Sequence, residues 1–258
     1  MKKSWKEAAG SMVISNLIYL AGEDGYAKEH QRYFRQAARF AKKKMENTRT
    51  ERPHIIFDLD GTLIDTEKAV LETWRYTLKD YSYEFTRKEL QAVLGIVPGQ
   101  ALKQLKVSVD PQFWDLWQEN YLLFAEGAAF FDGVEKMLQT LKQKGYALGI
   151  VTSRTREEYE TYFSDFHLER YFDVVILADD TERHKPDPEP LIQYAKEVQI
   201  PLESCIYIGD MPTDIECANR AGIRSGLVQW NHSGVICPAA GRIFSSPDKL
   251  AEAFPPVK

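Results

Sequence analysis

The run Ile55-Ile56-Phe57-Asp58-Leu59-Asp60-Gly61-Thr62-Leu63-Ile64-Asp65 constrains this chain more than any other stretch. Its apolar start has the length of a buried strand. It ends in two carboxylates at i and i+2, with a glycine and a hydroxyl directly after them. Extended backbone puts Asp58 and Asp60 on the same side, where their mutual repulsion would be relieved by a divalent cation. A strand followed by an ordinary Asp-Gly turn satisfies the same residues without any chemistry, so the remainder of the chain has to decide.

From Asp132 onward, helix and strand signals alternate. Helices are expected over 133–144, 155–166, 188–198, 214–222 and 247–254, with strands over 146–151, 174–178, 205–208 and 224–228. Thr155 with Glu158 forms a capping-box signature. This rhythm implies a mainly parallel sheet with helices on both faces, an α/β, Rossmann-like core. Residues 66–130 carry helical spacing and no strand signal. Thr86 with Glu89 is a second capping box, and Phe113, Trp114, Trp117, Tyr121 and Phe124 form an aromatic stripe expected to pack in a core. The domain reading is therefore a core of 53–65 and 131–258, an inserted helical cap of 66–130, and a basic helical extension of 1–52.

Charge separates that extension from the body. Residues 1–52 hold 12 Lys/Arg and 6 Asp/Glu, or +6, so the net −5 of the chain leaves −11 for the remainder. An acidic body argues against a general nucleic-acid-binding surface. The basic helix, 26–45, reads as packed on the acidic body with its charges solvated. Cys205, Cys217 and Cys237 form no Cys-x-x-Cys pair and sit at no zinc-finger spacing, which fits reduced thiols in a cytoplasmic protein. No run reaches the ~20 apolar residues of a membrane span. Ser15 and Asn16 interrupt the apolar run near the start, and no clean cleavage site follows, so export is not expected.

The strands end, one after another, in polar residues: Asp58, Thr152, the loop holding Lys185, and Asp210. Parallel strands bring those ends to one edge. Carboxylates suit Mg²⁺, and a metal, a lysine and a hydroxyl together suit a phosphoryl group. One aspartate in line with phosphorus can act as nucleophile, and a carboxylate two residues on can serve as general acid and base.

Asp58-Leu59-Asp60-Gly61-Thr62, Thr152, Lys185 and Gly209-Asp210-(x)3-Asp214 together resemble the four motifs of the haloacid dehalogenase-like hydrolase superfamily. The match runs over about residues 54–250, and the helical insertion resembles the small cap of the phosphoglycolate phosphatase-like branch. The resemblance implies a Mg²⁺-dependent phosphatase acting on a small phosphorylated metabolite. Asp58 would be nucleophile and metal ligand, and Asp60 general acid/base with its backbone carbonyl on the metal. Thr152 would bind phosphate, with Lys185 neutralising the charge shared by Asp58 and phosphate, and Ser153 would either join it as a phosphate ligand or merely start the next helix. Asp210 would ligate the metal, and Asp214 would ligate it or support it from behind. Arg154 would either join the phosphate site or merely start the next helix.

Two departures from the family pattern stand out. The cap loop 95–99, Gly-Ile-Val-Pro-Gly, has no charge where many relatives carry a basic residue toward the leaving group. Met211-Pro212 replaces the usual small polar residues, so the loop's hydrogen bonds should differ. A phosphomutase or a pyrophosphatase would use the same core. A binding protein on a retired enzyme fold would instead use the basic helix.

Overall fold

The computed structural model describes residues 52–231 and 234–257. The expected basic extension, apart from Arg52, lies outside the described residues.

Six strands form one parallel sheet: β1 (His54–Phe57), β4 (Ala147–Val151), β5 (Val174–Ile176), β6 (Cys205–Gly209), β7 (Arg224–Val228) and β8 (Arg242–Phe244). Their spatial order is β5-β4-β1-β6-β7-β8, so β1 is central, with Ile55 in register with Leu148 on one side and Ile206 on the other. The chain moves outward from β1 to β4 and β5, then returns to β6 on the other flank. Ligands of such sheets bind at this reversal, outside the carboxyl ends of the strands.

Strand alternation divides the core. Ile55 and Phe57 point to one face, against α5 (Val134–Gln143) and α9 (Pro247–Ala253), with Leu138, Leu141 and Leu250 fully buried. Ile56 points to the other face, against α7 (Glu189–Val198) and α8 (Pro212–Arg220), where Leu191, Tyr194, Cys217 and Ala218 pack. Burial on both faces explains why β1, β4 and β6 read as continuous apolar runs rather than alternating ones.

A short antiparallel pair, β2 (Ile64–Asp65) with β3 (Ala129–Phe130), brackets the helical insertion. Its helices are α1 (Glu67–Asp80), α2 (Arg87–Gln91), α3 (Pro98–Leu105) and α4 (Gln112–Phe124). They enclose their own apolar cluster, built around Leu71, Trp74, Leu78, Phe113 and Trp117. Phe113, Trp117 and Tyr121 of the aromatic stripe are buried, and the Trp74 and Trp117 rings meet edge to face at 4.3 Å. Strand β3 falls where only helix is expected, because two residues are too few for alternation to register.

The remaining helix of the core, α6 (Arg156–Tyr162), and α2 both begin with complete capping boxes, at Thr155–Glu158 and Thr86–Glu89. Helix α8 begins two residues before the expected Asp214. Pro212 is its first residue, where the N–H that proline lacks would have had no intrahelical partner. The departure at Met211-Pro212 therefore costs the loop nothing.

Candidate active site

The parallel register delivers three polar residues to one edge. Asp58 follows β1, and its N–H donates to the Ile208 carbonyl at 2.8 Å, which extends the ladder one residue past the strand. Thr152 follows β4 and Asp210 follows β6. Lys185 enters from the loop before α7 and is 2% exposed. Its ammonium donates to Asp58 Oδ1 at 2.6 Å and to Asp214 Oδ1 at 2.7 Å, and it sits 3.2 Å from the Tyr207 hydroxyl. Asp214 also accepts from the Met211 N–H through Oδ2 at 3.0 Å. It therefore caps α8 and faces the site at once. Asp58, Asp210 and Asp214 are buried, and an oxygen from each lies within 4.8 Å of the others.

Three buried carboxylates around one ammonium are short of positive charge. Burial raises the Asp58 carboxyl to about 7, and Asp214 and Asp60 push in the same direction against Lys185. Burial, then Asp214 and Asp58, hold Asp210 well above the usual carboxylate range. For Lys185, burial opposes the charged form, but Asp214 and Asp58 outweigh it and keep the amine firmly protonated. Carboxylates forced to share protons in this way fit a hard divalent cation, which would take oxygen ligands and restore the charge balance.

Asp60 is turned away from this cluster. Its Oδ1 accepts from Thr66 Oγ1 at 2.6 Å and from Arg154 Nη2 at 2.7 Å, and its Oδ2 accepts from Arg154 Nε at 3.0 Å. Burial raises its pKa, but the guanidinium and these hydrogen bonds win and leave it below the usual range. Arg154 is itself buried. Nη1 donates to Glu158 Oε1 at 3.2 Å and Nη2 to the Tyr121 hydroxyl of α4 at 3.2 Å. The guanidinium thus holds Asp60, which leaves its nitrogens committed to carboxylates. Ser153 lies beside the cleft, and its hydroxyl donates to the Gly95 carbonyl of the insertion at 3.0 Å. Thr152 Oγ1 accepts from the Arg154 N–H at 3.3 Å.

Two participants, Asn231 and Tyr207, carry no motif in the sequence. Asn231 donates through Nδ2 to Asp210 Oδ2 at 2.8 Å and to the Gly61 carbonyl at 2.9 Å. Thr62 donates to Asp210 Oδ1 at 3.2 Å, so both Asp210 oxygens are oriented. The Tyr207 hydroxyl, anchored to the Val151 carbonyl at 2.8 Å, lies against Asp214 and Lys185. A tyrosine inside an apolar strand gives no outward sign that its hydroxyl is used.

A family model for the haloacid dehalogenase-like hydrolases matches residues 55–228. The chain belongs to the haloacid dehalogenase-like hydrolases. Among its relatives, the pyrophosphatase PpaX of Anoxybacillus flavithermus is 32% identical over 186 residues, covering 70% of this chain and 85% of that protein. The PpaX of Bacillus mycoides is 30% identical over 203 residues, covering 78% and 94%. The fold matches a hydrolase from Pseudomonas syringae, with a TM-score of 0.68 at 22% identity over 78% of this chain and 97% of that one. It also matches a haloacid dehalogenase-superfamily hydrolase from Geobacter sulfurreducens, at 0.61 and 19% over 79% and 100%.

In this hydrolase, Gly61 combines a left-handed backbone with a close approach to the site. Its φ is +73°, and a Cβ would overlap the Asp210 carboxylate. Gly61→Ala should cost about 1–3 kcal/mol of stability through backbone strain. Displacing Asp210 should also lower turnover by about a hundredfold. Thermal melts and steady-state rates of the variant check both.

Proposed function

We propose that the enzyme is a Mg²⁺-dependent phosphatase that hydrolyses a small phosphomonoester through a phosphorylated Asp58. The observation that carries this reading is the buried Asp58–Lys185–Asp214 group beside Asp210, with a short supply of positive charge. Asp58, Asp210 and Asp214 would hold Mg²⁺ together with the Asp60 carbonyl. The ion would neutralise phosphoryl oxygens.

In the first half-reaction an Asp58 oxygen attacks phosphorus while the bond to the leaving oxygen breaks. That oxygen takes a proton from Asp60. In the second, Asp60 as carboxylate takes a proton from water, the water oxygen attacks phosphorus, and the Asp58–phosphorus bond breaks to release phosphate. Thr152 and Ser153 stand at the end of β4 as donors to phosphoryl oxygens, and Lys185 offsets the charge gathered on Asp58. Asp60, held by Arg154 and Thr66 in its ionised form, is set for the base step. Donation draws on the protonated form of Asp60 in place, beside the guanidinium that Glu158 also pairs.

The names of the PpaX relatives support a second reading, hydrolysis of pyrophosphate by the same residues. Release of inorganic phosphate from a panel of phosphate esters and pyrophosphate, with Mg²⁺ and with chelator, tests the class. Metal-dependent release is expected. Metal-independent release contradicts the assignment. Among the described residues no helix is long and apolar enough to cross a membrane, and the free Cys205, Cys217 and Cys237 suit a reducing cytoplasm.

The charge deficit makes a pH-dependent prediction. The folded pKa of Asp58, about 7, exceeds its ordinary 3.8, so between those values the folded state binds a proton the unfolded state has released. Stability of the metal-free protein must therefore fall as pH rises across that window. Mg²⁺ should raise the melting temperature more at about pH 8 than at about pH 5.5, where protons compete for the same oxygens. Thermal melts with and without Mg²⁺ at both values check it.

A further inference from the structure

We propose that the substrate's leaving group is an uncharged alcohol with an apolar face, so that the enzyme prefers small alkyl phosphates to pyrophosphate and to phosphoglycolate. The inference rests on the phosphatase reading and narrows the part of the substrate beyond the phosphoryl group. A cleft of about 100 Å³ runs from Asp60 and Asp210 to the helical insertion, which suits a group of a few heavy atoms. The insertion's wall of that cleft is Val70, Trp74, Val93, Ile96, Pro98 and Trp117.

Charge decides the class. Among the described residues that line the cleft, Arg154 is the cation, and its nitrogens are held by Asp60 and Glu158. Lys185, on the phosphoryl side, is held by Asp58 and Asp214. Other charged lining residues, Asp65 and Glu67, are acidic, and Glu67 is paired with Arg87 outside the cleft at 2.8 Å. Lys103 and Lys106 of the insertion are exposed and do not line it. A second phosphate or a carboxylate on the substrate would have to enter this wall unpaired, at a steep desolvation cost. Alternatively it would take Arg154 away from two carboxylates that are themselves buried or half-buried. An alkyl group meets neither obstacle and gains from covering apolar surface.

The test measures kcat/KM of the full chain with Mg²⁺ for isobutyl phosphate, 2-phosphoglycolate and pyrophosphate. Chemistry alone favours phosphoglycolate over isobutyl phosphate, since its leaving alcohol is the more acidic. A reversed order must therefore come from the protein. Isobutyl phosphate should exceed each of the two substrates with a charged leaving group by about tenfold or more. In Ile96→Arg the ratio should move toward those two substrates by about tenfold or more, chiefly through KM. Equal or better use of phosphoglycolate or pyrophosphate by the wild type overturns the inference and leaves the phosphatase reading standing. An unmoved ratio in Ile96→Arg overturns the assignment of selectivity to this wall. No phosphate release from any ester by folded protein overturns the phosphatase reading and the inference with it.

Discussion

Asp58→Asn should abolish hydrolysis and, at the same time, make the metal-free protein harder to unfold. The loss of activity follows from the proposed role of the carboxylate: the amide cannot attack phosphorus or hold a hard cation. A fall of about 10⁴-fold or more is the expected scale for removing a nucleophile. The gain in stability follows from electrostatics. Asp58 is buried with Asp210 and Asp214, and its carboxyl is raised from 3.8 to about 7. At about pH 8 the folded state must still ionise it, at a cost with a ceiling of roughly 4 kcal/mol at 1.36 kcal/mol per pH unit. Part of that is returned when Lys185 loses a charged partner, so a net gain on the order of 2 kcal/mol is expected. The gain should vanish below about pH 3, where Asp58 is protonated in both states. Thermal melts across that range, alongside rates, check both halves.

Lys185→Met should move stability the other way. The ammonium is 2% exposed and satisfies Asp58 and Asp214 at 2.6 and 2.7 Å. Removing one partner from a buried ionic group leaves uncompensated charge and typically costs 3–5 kcal/mol, and that is the expected loss at about pH 8. With the lysine gone the Asp58 carboxyl rises further. Lowering the pH then supplies protons that replace the missing charge, so the penalty shrinks as pH falls toward about 7, where the wild-type carboxyl begins to protonate as well. Turnover should fall by about 10²–10³-fold, the scale of a lost electrostatic stabiliser. The two partners of one ion pair thus give opposite stability changes, because the site holds more negative than positive charge. A loss of stability in both variants would show that the carboxylates are not in surplus.

The parts of this site that are legible in the sequence sit at strand ends. Asp58, Thr152, Asp210 and Lys185 each follow an apolar run or occupy a loop between elements, and the parallel topology does the converging. Capping boxes at Thr86 and Thr155 are equally legible, since their partners lie three residues away. Contacts between residues distant in sequence are not. Tyr207 looks like another apolar strand residue, Asn231 follows β7 in an unremarked loop, and Thr66 sits at the start of a helix. Arg154 leaves two readings open, phosphate contact or helix start. Its grip on Asp60 depends on the approach of α4 and α6, which no local pattern encodes. The two-residue strand β3 is below the length at which periodicity speaks.

The central claim is that Asp58 carries the phosphoryl group during turnover. Rapid acid quench of the enzyme with Mg²⁺ and a turned-over ester, followed by mass spectrometry of its peptides, measures this directly. The account predicts one added phosphoryl group on the peptide spanning 55–65, removed by hydroxylamine as an acyl phosphate must be, and absent in Asp58→Asn. Phosphorylation on another peptide, or full turnover by Asp58→Asn, would contradict it.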